Sequence, residues 1–361
     1  MHPAPHAQHG WRLMTGHATK SGLDGDFSFS PLLKHPFIST MVLSPQVVRT
    51  TIVSIVAFVA TVTLLRLPNP ESRHDHDILS NEIDWSRFAY TQYATDRSYL
   101  CNSVMLFEAL HRLGSKADRV MLYPSGFLQS EDDNSKEGRL LRFARDHYQV
   151  KLNPIEIQMK GGSGAPWSSS YTKLLAFNQT DYDRILHLDS DGTVLQSMDE
   201  LFLLPPGPVA MPRAYWLDSK PFTSGLALIE PSTFAFNQVM DKVSMADAGI
   251  FDMEIMNSLF GDNAQIIPHR PYLLLTGEFR AMAHEGYLGP AYESWDAEAI
   301  FRETKYVHFS DWPVPKPWAA LRSQVMKEAP ICNYNPRTGQ EDCRARDIWV
   351  SIYDDFKFRR E

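Results

Sequence analysis

The sequence predicts an α/β protein built on a mostly parallel central sheet, and three observations carry that reading. Strand-like and helix-like patterns alternate from about residue 85 onward, as they do where parallel strands are joined by right-handed helical crossovers. The apolar stretch Arg184-Ile185-Leu186-His187-Leu188 runs straight into Asp189-Ser190-Asp191, so a buried strand delivers two acids at its carboxyl end, the edge where open α/β sheets place ligands. With 361 residues, 43% hydrophobic and 12% aromatic, the chain is also large and apolar enough for a substantial core.

Before that body comes a different composition. Residues 1–46 carry scattered Pro, His, Ser and Gly without a sustained period and read as a flexible tail. From Thr50 to Leu65 no charge occurs, and Arg49 and Arg66 bracket the run. As a helix it would reach about 24 Å. Val47, Val48 and Leu67 lengthen it, and the arginines can snorkel to the interface, so residues 47–67 are expected to form a single-pass transmembrane anchor. Residues 68–84, with Pro68, Pro70 and His74-Asp75-His76-Asp77, read as a solvated stem.

Within the body, a strand begins near Arg87 to Thr91. Leu100, Val104, Leu106, Phe107 and Leu110 mark an amphipathic helix that Gly114 ends. Arg119 to Tyr123 is a second strand, stopped by Pro124; a charged helix covers about 135–147; and Val150 to Ile157 is a strand interrupted by Pro154. The Gly- and Ser-rich run Lys160 to Ser170 is a loop, since its glycines lack the Lys-Ser/Thr ending of a phosphate-cradling P-loop. A helix over Ser170 to Asn178 leads to the Asp189 strand, and Asn178-Gln179-Thr180 is a formal N-glycosylation sequence.

Charge and cysteines narrow the function. A formal net charge of −8 offers no footing for a nucleic-acid partner. The three cysteines, Cys101, Cys332 and Cys343, lack zinc-site spacing; Cys332 and Cys343 flank a turn-rich loop and form either a local disulfide, in an oxidising lumen, or two free thiols. Asp189 and Asp191 share a strand face, and at about 4 Å two carboxylates repel by roughly 4 kcal/mol at an effective dielectric near 20. The pair therefore calls for a positive partner, and a hard divalent cation with oxygen ligands, Mg2+ or Mn2+, commonly brings a phosphate-bearing substrate with it.

The run Tyr171-Thr172-Lys173-Leu174, with Tyr182 and then Leu188-Asp189-Ser190-Asp191, resembles the family 8 glycosyltransferases, the group of glycogenin and of fungal N-acetylglucosaminyltransferase-like proteins. The likeness covers about residues 85–318. Phe222-Thr223-Ser224-Gly225 is similar to the family's strand beside the donor sugar, with Thr223 in place of Asn; Ser224 and Gly225 are the expected sugar contacts. His308 to Trp318 resembles the closing His…Lys-Pro-Trp motif, two residues longer and without its Gly. Asp252 with Asn257 matches the family's Asp-Gln-x-x-x-Asn, Met253 standing in place of Gln.

The resemblance implies a GT-A fold, a UDP-sugar donor, a glycan acceptor and a Mn2+ or Mg2+ ion held by Asp189, Asp191 and His308. It implies that Ser190 and Lys316 lie at the diphosphate, that Thr91 and Tyr99 hold the nucleobase, and that Trp312 contacts sugar. Lys173 would orient the strand end or a donor hydroxyl, and Asp252 would stabilise charge on the anomeric carbon or act as nucleophile. Family 8 enzymes retain anomeric configuration, and N-acetylglucosamine is the sugar expected of the fungal subgroup. The segments Leu275 to Arg280 and His284 to Gly289 look like that subgroup and are candidates for acceptor contact. With the anchor, the expectation is a type II Golgi membrane protein with a luminal catalytic domain over 85–318, followed by an extension, 319–361, packed on it.

Overall fold

The computed structural model describes residues 83–159, 169–247, 249–289, 293–335 and 339–360. The expected tail and anchor, the stem as far as residue 82, and nearly all of the Lys160 to Ser170 loop lie outside the described residues.

Strand and helix follow one another as the patterns require. In chain order the strands are β1 (Phe88–Tyr93), β2 (Asp118–Pro124), β3 (Val150–Ile155), β4 (Arg184–Leu188), β5 (Gly192–Val194), β6 (Val209–Pro212), β7 (Leu226–Ile229), β8 (Gln265–Ile267), β9 (Leu274–Leu275) and β10 (Tyr306–His308). The helices that matter below are α1 (Arg97–Arg112), α2 (Lys136–Tyr148), α3 (Thr233–Met245), α4 (Asp252–Phe260), α5 (Glu285–Leu288), α6 (Ala297–Glu303) and α7 (Arg344–Arg360). Asp96 starts α1 by accepting the amides of Ser98 and Tyr99. Gly114, at φ +69°, takes the left-handed turn that follows it.

The large sheet has the order β3-β2-β1-β4-β7-β6-β8. Its pairings are parallel except on the two sides of β7, which alone runs against the rest. The sheet is thus mainly parallel, as expected. β3 continues through Pro154, opposite Tyr123. Because β3 is an edge strand, the missing proline N–H leaves no ladder partner stranded. A small sheet, β5-β10-β9, stands beside the first. The chain passes from one to the other in the few residues between Leu188 and Gly192.

Period-2 alternation divides the core. Along β4, Leu186 and Leu188 join the cluster under α1, which contains Leu100, Val104, Leu106, Phe107 and Leu110, while Ile185 joins the opposite cluster with Phe177, Ala227 and Ile255. Each fully buried aliphatic side chain contributes about 2 kcal/mol of transfer free energy. A third cluster packs β9 and β10 against α7 through Phe309, Trp349, Tyr353 and Phe356. Outside the core, Cys332 and Cys343 form a disulfide.

One part of the expected fold class is corrected. Among the described residues no helix is long and apolar enough to cross a membrane; the longest, α7, is a charged helix of 17 residues. The run read as an anchor lies outside them. What stands is the α/β body.

Candidate functional site

The carboxyl end of β4, the start of β5 and the end of β10 meet at one edge. Antiparallel pairing sets His308 opposite Gly192, one residue past Asp191. Backbone bonds hold the junction: the Asp189 amide donates to the Gly225 carbonyl at 3.0 Å and the Phe309 amide to the Asp191 carbonyl at 2.8 Å. The Tyr306 hydroxyl donates to the Asp189 carbonyl at 2.6 Å. Gly192 is required here, since a Cβ would run into the Tyr306 ring.

The two acids have different partners. Asp189 Oδ1 lies 2.8 Å from Lys173 Nζ, and the same ammonium lies 2.9 Å from Asp252 Oδ2. Ser224 Oγ donates to that Asp252 oxygen at 2.5 Å. Asp191 is met by His308 Nε2 at 2.9 Å and by Lys316 Nζ at 2.7 Å, and Lys316 also donates to the Phe309 carbonyl. Lys316 thus reaches Asp191 across the longer interval.

Charge compensation shows in the titration behaviour. Burial raises the Asp189 carboxyl, but Lys173, His187 and His308 outweigh it and hold the group at about 2. Burial likewise opposes ionisation of Asp191, and His308 and Lys316 overcome it, lowering its pKa further. Burial pulls the Lys173 ammonium down, yet Asp189 and Asp252 together drive it well above the ordinary lysine value. Lys173 and Lys316 are the positive partners that the acid pair calls for, and His308 is hydrogen-bonded to Asp191 beside them.

Asp252 is the first residue of α4, with Phe251 at the N-cap, and its side chain faces Lys173 and Ser224 rather than capping the helix. Asn257, one turn on, accepts the Phe222 amide at 2.9 Å and donates to the Phe222 carbonyl at 2.7 Å, fastening α4 to the segment that carries Ser224 and Gly225. Gly225 keeps the centre open: a Cβ there would lie 3.5 Å from Asp189 Oδ2 and 3.9 Å from His308 Cε1.

The other expected residues are arranged around this centre. Ser190 is buried between the acids. Thr91 is buried in β1, its hydroxyl 3.2 Å from His187 Nδ1, behind Asp189 rather than in an open cleft. Tyr99 lies edge-on to Trp318 at 5.8 Å, and burial, with Asp191 second, pushes its hydroxyl to about 12. Trp312 is 92% exposed on the turn between His308 and Lys316.

Three site residues were missed. His187 places Nε2 3.8 Å from Asp189 Oδ1, and Tyr306 holds the Asp189 backbone. Both stand two positions before an expected ligand, so strand alternation was the available signal. Tyr93, at the end of β1, packs on the His187 ring with centroids 5.5 Å apart; no local pattern marks it.

One ligand atom each from Asp189, Asp191 and His308 lie within 4.8 Å of one another. Two carboxylates and an imidazole suit Mn2+ or Mg2+, and the bare Gly225 leaves room beside them, so the donor set fits such an ion. A cavity of about 630 Å3 lies elsewhere, between α1, α2 and α7, and includes none of these residues.

No family model matches the chain. Glucose N-acetyltransferase 1 of Aspergillus fumigatus is 48% identical over 81% of this chain and 80% of its own length. The protein of that name from Gibberella zeae is 52% identical over 76% of this chain, which spans 62% of the relative. Among solved structures, the WbbM bifunctional glycosyltransferase aligns with a TM-score of 0.49 at 15% identity, over 78% of this chain and 50% of its own. The galactosyltransferase LgtC, with donor and acceptor sugar analogues, gives 0.43 at 14% identity, over 74% and 95%.

The chain is an enzyme, a glycosyltransferase of the family 8 kind that its motifs resemble. Within that class it belongs to the fungal glucose N-acetyltransferase 1 family.

Proposed function

We propose that this enzyme transfers a sugar, N-acetylglucosamine in preference to glucose or galactose, from a UDP-sugar to a glycan acceptor with retention of configuration. The observation that carries the reading is the Asp189, Asp191 and His308 cluster with Lys316 on one side and the Lys173, Asp252 and Ser224 network on the other. The preference for an N-acetyl sugar rests on the named relatives.

Asp189, Asp191 and His308 would hold Mn2+ or Mg2+, which when bound supplies Lewis-acid charge for a diphosphate leaving group. Lys316 adds a point charge at the same place, so no protein acid is needed as the diphosphate departs. Lys173, 2.9 Å from Asp252 Oδ2, keeps that side chain aimed, and Asp252 stabilises positive charge growing on the anomeric carbon. Ser224, bonded to Asp252, fixes that carboxylate and offers its hydroxyl to the donor sugar. Tyr99 presents an aromatic ring to the nucleobase.

Residues 85–318 form the catalytic body on this reading and 319–361 brace it. The Cys332–Cys343 disulfide supports action in an oxidising compartment of the secretory pathway, the Golgi being the compartment proposed.

The test is a panel of UDP-sugars given to the full-length chain with and without Mn2+. Metal-dependent hydrolysis or transfer, fastest with UDP-N-acetylglucosamine and abolished by Asp191→Ala, is the expected result. Metal-dependent turnover of another sugar would replace the preferred donor. UDP-sugar binding without turnover under any condition would instead make the chain a silent partner of another transferase.

A further inference from the structure

A second ionisable pair, outside the cluster above, lies on the same edge of the fold. His284 Nδ1 is 2.8 Å from Glu278 Oε1, the two side chains being 14% and 10% exposed. Trp295 stacks on the imidazole, with centroids 4.0 Å apart and planes 9° apart. In a neutral imidazole, pairing of Nδ1 with a carboxylate places the ring proton there and leaves Nε2 as a hydrogen-bond acceptor. Nε2 has no protein partner among the described residues.

Topology sets where this pair stands. β9 runs parallel to β10 with Leu275 opposite His308, so the turn after β9 leaves the small sheet beside His308. That turn contains Gly277, where a Cβ would come within 3.2 Å of the Ser310 carbonyl. β6 ends on this edge too, because it runs against β7, whose first residue follows Gly225. Just past β6, the Tyr215 hydroxyl accepts the Leu275 amide at 3.0 Å and its ring packs on Tyr287 of α5 at 5.1 Å. Trp216 follows, partly exposed, its ring perpendicular to that of Tyr215.

We propose that Glu278, His284 and Trp216 form the acceptor subsite, and that its ligand is a neutral sugar. A ring face of the acceptor lies on Trp216 and one of its hydroxyls donates to His284 Nε2. Glu278 is a positioning residue, which fixes the tautomer and plane of His284. Trp295, stacked on the imidazole, holds the plane in which Nε2 accepts. An aromatic surface beside an oriented neutral acceptor recognises an uncharged polyol rather than a phosphate or a cation. The proposal rests on the transferase reading, since an acceptor subsite has meaning only for an enzyme that transfers.

The experiment measures two reactions of the full-length enzyme with Mn2+ and its preferred UDP-sugar: hydrolysis of the donor alone, and transfer to a panel of p-nitrophenyl hexosides. His284→Ala is expected to raise the acceptor KM about tenfold, the size of one lost hydrogen bond, while the donor KM moves by less than about twofold. His284→Gln, which keeps an acceptor oxygen, restores part of the loss, Glu278→Gln gives a smaller rise, and Trp216→Ala raises the acceptor KM without lowering the melting temperature. If the acceptor KM is indifferent to both His284→Ala and Trp216→Ala, the subsite is wrong. If donor hydrolysis, transfer and melting temperature fall together in both, the residues are structural and the proposal is overturned. A wild-type enzyme that turns over no UDP-sugar overturns the transferase reading itself, and this one with it.

Discussion

Asp189 and Asp252 are joined by one ammonium: Lys173 Nζ lies 2.8 Å from the first and 2.9 Å from the second, and all three side chains are largely buried. A helix before β4, the end of β4 and the start of α4 are thereby held at a single atom. Removing that atom leaves two carboxylates facing each other with no cation between them.

Lys173→Met is therefore expected to cost about 3–5 kcal/mol, the usual penalty for stripping a buried ion pair of one partner. For a body of this size that lowers the melting temperature by roughly 10 °C. Adding Asp252→Asn to Lys173→Met should recover part of the loss, which thermal unfolding of the three variants would show. Equal stability of single and double variants would mean the two acids do not share the charge.

Mn2+ affinity gives an independent measure of the Asp-x-Asp cluster. Asp191→Ala and His308→Ala should each weaken binding by more than the roughly 10–100-fold that loss of a supporting residue costs. Titration calorimetry on the purified chain reads this without turnover. Wild-type affinity in either variant would remove that residue from the ligand set.

Gly192→Ala tests the backbone frame. Its methyl would collide with the Tyr306 ring, whose hydroxyl holds the Asp189 carbonyl, so stability and Mn2+ affinity should fall together. The collision should cost about 1–3 kcal/mol, as overpacking of a tight contact does. Gly192→Ala combined with Tyr306→Ala should regain stability but not Mn2+ affinity, because the tether to Asp189 is then lost. Stability as in wild type for Gly192→Ala would show the contact to be slack.

A pH-dependent prediction concerns Asp311, on the turn between His308 and Lys316. Burial raises its carboxyl above the ordinary value, while the Trp349 indole, donating at 2.9 Å, and Arg280 pull it back. A carboxyl raised on folding costs stability that is fully present above its folded pKa and disappears as pH falls below its unfolded value, near 4. Trp349→Phe removes one restraint and enlarges that cost. The melting-temperature gap between wild type and Trp349→Phe should then be wider at pH 7 than at pH 4; a gap that widens on acidification would refute the assignment.

How much of this was legible beforehand depends on the range over which each pattern acts. Strand and helix periods are local, so Leu100 to Leu110, Val120 to Tyr123 and Ile185 to Leu188 announce their elements and faces. Asp189 and Asp191 announce a cation for the same reason, as neighbours on one strand. The meeting of Lys173 with Asp252 is different: they are far apart in sequence, and only the antiparallel insertion of β7 beside β4 brings the α4 start to the Asp189 edge. Tyr93 is hidden for the same reason, through the β1 and β4 register. His187 and Tyr306 were within reach, since each lies two positions before an expected ligand. The membrane helix expected over residues 47–67 has no counterpart to set beside it, since that run lies outside the described residues, among which no helix is long and apolar enough to span.

Asp189 directly follows β4 of the large sheet and Asp191 directly precedes β5 of the small one, so that Asp189, Ser190 and Asp191 are the whole of the link between the sheets. An ion shared by these acids and His308 would rivet two separate sheets across that short link. Occupancy then becomes a mechanical property of the molecule: amide exchange in β9 and β10 should slow on Mn2+ addition as much as exchange at the acids themselves, because the small sheet loses its freedom to swing when the rivet is set.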